Sequence, residues 1–221
     1  ISSSEVANSI ANPIIKAVSL TGSEQAGIAV ATEAGKHLKK CVLELGGSNA
    51  FIILEDANLD KAVAIAVNAR MQNAGQSCIA AKRFLVHENI VEEFVAKLKV
   101  AIQNLKTGNP FDKEMQIGSL ARVDLAEELE AQVQKSIQMG ADLIVGGTRK
   151  EAFYEPTILA NVTTEMPVFN EETFGPVAAI ITFKTIKEAI ELSNQSEFGL
   201  GVSIFTQDID FIKTKIPSFN E

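Results

Sequence analysis

The chemistry open to this chain concentrates in four short stretches. In Gly75-Gln76-Ser77-Cys78 a cysteine stands in a loop after a helix, flanked by small residues, where substrate can reach it. Its thiolate is the nucleophilic form, and Lys82 and Arg83 lie near enough in sequence to favour it. In Leu43-Glu44-Leu45-Gly46-Gly47 a carboxylate sits among apolar residues at the end of an apolar run. Desolvation there is expected to raise its pKa and suit it to general-base work. Thr21-Gly22-Ser23 turns a strand into a helix and gathers free backbone N–H groups with a helix dipole, a generic anion site suited to a pyrophosphate. Asn170-Glu171-Glu172-Thr173-Phe174-Gly175-Pro176-Val177 offers paired acids and an aromatic wall to one ligand.

Each stretch has an ordinary alternative. A free cysteine is more often a buried, inert residue. A glutamate at a strand end is commonly solvated or paired with lysine, Thr-Gly-Ser is a common N-capped turn, and the acidic stretch resembles a surface turn. Cys41, inside the apolar run Cys41-Val42-Leu43, fits the inert role better than Cys78. A cysteine–histidine hydrolase needs an imidazole beside its thiol. His37 falls among Lys36, Lys39 and Lys40, and His87 at the far end of the run Arg83–His87, so both are expected at the surface. Two Cys and two His without a ligand motif offer no metal site.

The elements that must position these residues alternate in type, as in an α/β fold. Strands are expected at Ala17–Leu20, Cys41–Leu45, Ala50–Leu54, Arg83–His87, Ala141–Val145, Val177–Phe183 and Gly201–Phe205. Glu24 to about Lys39 is Ala-rich and capped by Ser23, which predicts a helix. Leu59 to Met71 carries small residues and Arg70 on neighbouring faces and is expected to pack on a sheet. Apolar spacing places further helices over Val91–Leu105 and Leu125–Ile137, the latter stopped by Gly140. Thr185–Leu192 and Asp208–Lys215 follow, with Pro217 as a stop. The only boundary proposed from sequence lies near Glu44–Gly47.

Composition narrows the class. The 221 residues are 46% hydrophobic, enough for a core in one or two domains. A net charge of −8 without a basic cluster argues against nucleic acid or an anionic membrane as partner. No apolar run reaches the roughly 18–20 residues of a membrane span, and Ile1-Ser2-Ser3-Ser4-Glu5 has no signal-peptide pattern. Two cysteines make no disulfide framework, so a reducing, cytoplasmic setting is expected. The first residue is not Met, and both ends look cut from a longer chain.

Taken together and in this order, the four stretches resemble the aldehyde dehydrogenase superfamily. That family writes Thr-Gly-Ser, Glu-Leu-Gly-Gly, Gly-Gln-x-Cys and Glu-Glu-x-Phe-Gly-Pro-Val, here Thr21–Ser23, Glu44–Gly47, Gly75–Cys78 and Glu171–Val177. Gly108-Asn109-Pro110 and Asn194 with Phe198-Gly199-Leu200 agree, and the likeness runs from end to end. Lys39–Ser48 and Ala80–Phe84 look most like bacterial succinate-semialdehyde dehydrogenases. Ser48 stands where many members have Lys, and Ser77 and Ile79 flank Cys78, so no pair of adjacent thiols is available as a redox switch.

The resemblance implies an α/β aldehyde dehydrogenase-like catalytic domain over residues 45–221, built on a parallel sheet and incomplete at its C-terminus. Residues 1–44 would be the C-terminal part of an NAD(P)-binding domain, the last β-α-β portion of a Rossmann-like fold. Cys78 would attack the carbonyl of the aldehyde, expected to be succinate semialdehyde, hydride would pass to the nicotinamide to leave a thioester, and Glu44 would activate the water that hydrolyses it. The Cys78 N–H would donate to the oxyanion beside an Asn from a segment N-terminal to this one. NAD or NADP would meet Thr21, Gly22 and Ser23 at its pyrophosphate, Leu45 and Gly46 nearby, Glu172 at the nicotinamide ribose and Phe174 beside the nicotinamide. The complete enzyme is expected to be a homo-oligomer, and this segment alone inactive. Two other classes stay open: a nucleotide-independent thiol hydrolase using Cys78 and Glu44, and a non-catalytic fragment.

Overall fold

Alternation of exposed and half-buried residues makes two strands of the first fifty residues. In the computed structural model, which describes residues 3–220, β1 (Ala17–Thr21) and β2 (Lys40–Glu44) pair in parallel, from Ala17 opposite Lys40 to Thr21 opposite Glu44. Between them runs α2 (Glu24–Lys36), begun by Ser23, whose hydroxyl accepts the Ala26 N–H. It ends at His37, and exposed Leu38 follows in the left-handed region at φ 52°. An additional helix, α1 (Ser3–Ala11), precedes β1, and the Lys39 ammonium donates to the carbonyls of Ile10 and Asn12 behind it. These elements form one compact unit, Ile1–Gly46, and the rest of the chain forms a second, Gly47–Glu221.

The second unit is a six-stranded sheet in the order β10-β3-β4-β9-β8-β5. In chain order it contains β3 (Asn49–Ile53), α3 (Leu59–Met71), β4 (Ala81–His87), α4 (Val91–Gln103), α5 (Val123–Gln138) and β5 (Asp142–Val145). A small hairpin of β6 (Arg149–Lys150) and β7 (Phe153–Tyr154) follows, then β8 (Thr157–Ala160), α6 (Pro167–Asn170), β9 (Val177–Phe183), α7 (Ile186–Asn194), β10 (Val202–Phe205) and α8 (Ile209–Lys213). β3, β4 and β9 are almost wholly buried, as strands covered on both faces must be. Helix α4 packs on β4, β5 and β8, and α7 on β3, β4 and β9. Phe94, Leu98 and Ile102 form the buried stripe of α4, with the Phe94 ring 6.5 Å from that of Phe84.

The expectation of a parallel sheet needs one correction. β5 pairs antiparallel with β8, and the sheet is mixed. The residues between these strands, 146–156, contain only the β6–β7 hairpin. A parallel return needs a crossover of a dozen or more residues, usually a helix, whereas an antiparallel one does not. Among the described residues no helix is long and apolar enough to cross a membrane.

Candidate active site

The thiol loop begins where α3 stops. Asn73, Ala74 and Gly75 take φ values of 53°, 53° and 76° in succession, reversing the chain within three residues. Only glycine fits the last of these, because a Cβ there would stand 2.2 Å from the Gly175 carbonyl oxygen. The loop is then tied down by side chains. Each carbonyl from Gly75 to Ile79 accepts from one: Arg70 Nη2 holds that of Gly75 (2.5 Å), Asn73 Nδ2 that of Gln76 (2.9 Å), Lys82 Nζ those of Ser77 (3.1 Å) and Cys78 (3.0 Å), and Asn49 Nδ2 that of Ile79 (3.1 Å). Gln76 adds a bond from its Oε1 to the Ala121 N–H. Gly47 approaches the same loop so closely that a Cβ on it would lie 2.6 Å from the Cys78 carbonyl oxygen. Cys78 itself is half-buried.

Three cationic side chains lie buried around this loop. Arg83, inside β4, is fully satisfied: it donates to Ser48 O (2.9 Å) and to the carbonyls of Leu192 and Ser193 at the end of α7, and its guanidinium lies 5.3 Å from the centre of the Phe169 ring. The helix C-terminus is where a cation is favoured. Arg70 is buried with Nε and Nη1 lacking a partner among the described residues, and burial holds its pKa below the usual arginine value, opposed by Glu172. Lys82 is fully buried, and its Nζ lies 3.2 Å from Glu172 Oε1. Burial pulls its pKa down to about 8, with the Glu172 carboxylate the largest opposing influence. Glu172 Oε1 also accepts the Gly47 N–H at 3.1 Å. Glu172 and the thiol loop are thus joined through one ammonium ion.

Most of the other candidates belong to the first unit. Thr21, Gly22 and Ser23 are exposed at the β1–α2 turn, and the Gly22 N–H donates to the Glu44 carbonyl, so turn and carboxylate residue are neighbours. Leu45 and Gly46 follow, both half-buried. The Glu44 side chain is exposed, which corrects the expectation of desolvation. The residues beside it in sequence, Leu43 in β2 and Leu45 just after it, are half-buried, and on its own side of β2 stands exposed Val42. Phe174 is exposed at 36%. Cys41 is half-buried like Cys78, so burial alone does not separate the two thiols. His37 is exposed beside Glu33, and His87 donates to the Lys184 carbonyl at the end of β4; neither belongs to the thiol loop. Of the tethers, Lys82 was expected from sequence as a cation that favours the thiolate and not as a donor to the loop, and Arg70, Asn73 and Asn49 were not singled out as parts of the site. Two adjacent cations inside the apolar run Ala80–Val86 were the available signal, since buried charges must be paired.

By fold and site this is an α/β protein that presents a half-buried cysteine on a tethered loop, and one lysine joins that loop to a carboxylate held by two donors. The model of the Aldehyde dehydrogenase family matches residues 2–218, and the chain belongs to that family. It is 50% identical over 92% of its length to the succinate semialdehyde dehydrogenase (NAD(P)+) of Escherichia coli, of which it covers 45%. It is 46% identical over 91% of its length to the succinate-semialdehyde dehydrogenase (NADP+) of Deinococcus radiodurans, covering 43% of that protein. The structure superposes on succinic semialdehyde dehydrogenase from Streptococcus pyogenes, solved with NADP+, with a TM-score of 0.94 and 37% identity, over 99% of this chain and 49% of that one. The chain therefore spans somewhat under half the length of the curated relatives it matches.

Proposed function

We propose that this chain carries the catalytic core of an NAD(P)+-dependent aldehyde dehydrogenase acting on succinate semialdehyde. The loop from Gly75 to Ile79, with every carbonyl held by a side chain, carries the reading, because a nucleophile must be kept in one geometry while its substrate changes. The names of the relatives supply the aldehyde. Residues 1–44 are the last part of the cofactor-binding domain, and 45–221 belong to the catalytic domain.

The residues present fit a dinucleotide. At the start of α2 the Glu24 and Gln25 N–H groups have no intrahelical acceptor, so Thr21, Gly22 and Ser23 with this helix end would receive the pyrophosphate, with Leu45 and Gly46 nearby. Glu172, its Oε1 held by Gly47 and Lys82 and its side chain 21% exposed, would accept ribose hydroxyls at Oε2. Phe174 would supply an apolar wall. When bound, the dinucleotide supplies the hydride acceptor for aldehyde oxidation.

The Cys78 thiolate adds to the aldehyde carbon, and the carbonyl electron pair moves onto oxygen, where the Cys78 N–H donates to it. Loss of hydride from the adduct leaves an acyl thioester on Cys78. Glu44 takes a proton from water, the hydroxide attacks the thioester, and the acid leaves as the thiolate is regenerated.

The test uses the full-length protein with succinate semialdehyde and either dinucleotide. Cys78→Ser is expected to abolish the pre-steady-state burst of reduced dinucleotide. Glu44→Gln is expected to keep the burst and then stall, with turnover down about 10²-fold or more. Turnover near wild type in Cys78→Ser would overturn the reading, and turnover near wild type in Glu44→Gln would leave Glu44 an ordinary strand-end acid.

A further inference from the structure

We propose that Lys82 is the positioning residue of the thiol site: its ammonium ion ties the carbonyls of Ser77 and Cys78 to the Glu172 carboxylate, so that nucleophile, oxyanion donor and ribose-holding group are set by one side chain. The proposal rests on the reading of Cys78 as nucleophile given above.

The geometry accounts for all three protons of the ammonium. They go to Ser77 O at 3.1 Å, Cys78 O at 3.0 Å and Glu172 Oε1 at 3.2 Å, and the side chain is fully buried. A buried charge persists only when paired and hydrogen-bonded, so replacing any of the three acceptors disturbs the other two contacts. The Ser77 carbonyl matters most. In a planar trans peptide the C=O and the following N–H point in opposite directions. Holding the Ser77 oxygen toward Lys82 therefore turns the Cys78 N–H away from it, and that N–H is the donor this chain offers to the oxyanion. A cation on the carbonyl oxygen also polarises the peptide and strengthens its N–H as a donor. A charge on Cys78 favours the ammonium form of Lys82, as the smallest of the influences on that group. Arg70 holds the Gly75 carbonyl, but among the described residues it makes no hydrogen bond to Ser77 or Cys78. The Ser77 carbonyl also accepts the Ala80 N–H at 3.2 Å, so Lys82 is the side chain, beside that one backbone donor, that sets the Cys78 peptide.

The experiment uses the full-length protein, with rates counted per Cys78 thiol titrated by iodoacetamide. Lys82→Met is expected to lower the burst rate about tenfold or more, a part of the roughly 10²–10³-fold that losing an oxyanion donor outright costs. It should also slow alkylation of Cys78 and raise the dinucleotide KM, each severalfold. Glu172→Gln should slow Cys78 alkylation as well, and the double variant should lose less than the product of the single losses, because both act through one ammonium. A purely structural lysine would change the number of active thiols and leave the rate per thiol unaltered. Lys82→Met with wild-type burst rate and alkylation overturns the proposal. Where Lys82→Met does not fold, wild-type alkylation of Cys78 in Glu172→Gln overturns it instead. If Cys78→Ser still oxidises the aldehyde, the reading of the site itself has failed, a result distinct from either of these.

Discussion

The β1–β2 sheet and the six-stranded sheet handle charge in opposite ways. In β1 and β2 exposed and half-buried residues alternate, no strand side chain is fully buried, and Lys40 and Glu44 stand in solvent. In β3, β4 and β9 nearly every residue is buried, including Lys82 and Arg83. Solvated charges need no partner, and the two-stranded sheet supplies few. Charges inside the six-stranded sheet are retained because each is met by carbonyls or a carboxylate. The two glutamates assigned to the site follow the same division: Glu44 is exposed, whereas Glu172 is held by Gly47 and Lys82.

The largest expected effect separates the two packings. Phe84→Ala, in the buried β4, should destabilise its unit by about 3–5 kcal/mol. Leu43→Ala, in half-buried β2, should cost no more than about 1–2 kcal/mol, since part of that side chain is already solvated. Urea unfolding of both variants checks this, and equal losses would break the contrast. A smaller effect sharpens the contrast in charge. Burial depresses the Lys82 pKa to about 8, so between pH 8 and the ordinary lysine value near 10.5 the unfolded chain binds the extra proton and the folded one does not. Stability contributed by this group therefore rises with pH across that window. Lys82→Met should flatten the rise, and unfolding midpoints measured from pH 7 to 10 would reveal it; an unchanged slope would mean that the buried ammonium is not the group titrating. The smallest effect lies in the first unit. Leu38 is 96% exposed at φ 52°, so Leu38→Gly removes left-handed strain without losing a contact and should stabilise by about 0.5–1 kcal/mol. A lower thermal midpoint would refute this.

Local chemistry and period were enough to read much of the fold. Helix α3 and strand β9 fall at the expected Leu59–Met71 and Val177–Phe183, because a long helical stretch and a short, almost wholly apolar run between turn residues each have one good solution. The short elements β6, β7 and α6 were missed because two to four residues carry no period, and the mixed sheet was missed because strand direction depends on the connection rather than on the strand.

The sequence by itself determined the family, the order of the motifs and a thiol in a glycine-bounded loop, since these depend on residues within a few positions of each other. Only the tertiary structure decided what surrounds them. It set Glu44 in solvent, because strand neighbours lie on the opposite face, and it brought Glu172 to Lys82 across ninety residues of chain. It also gathered donors from α3, β3 and β4 onto successive carbonyls of one loop. Burial is the reason: a lysine in an apolar run must find its acceptors wherever the folded chain places them, and no local pattern names which they are.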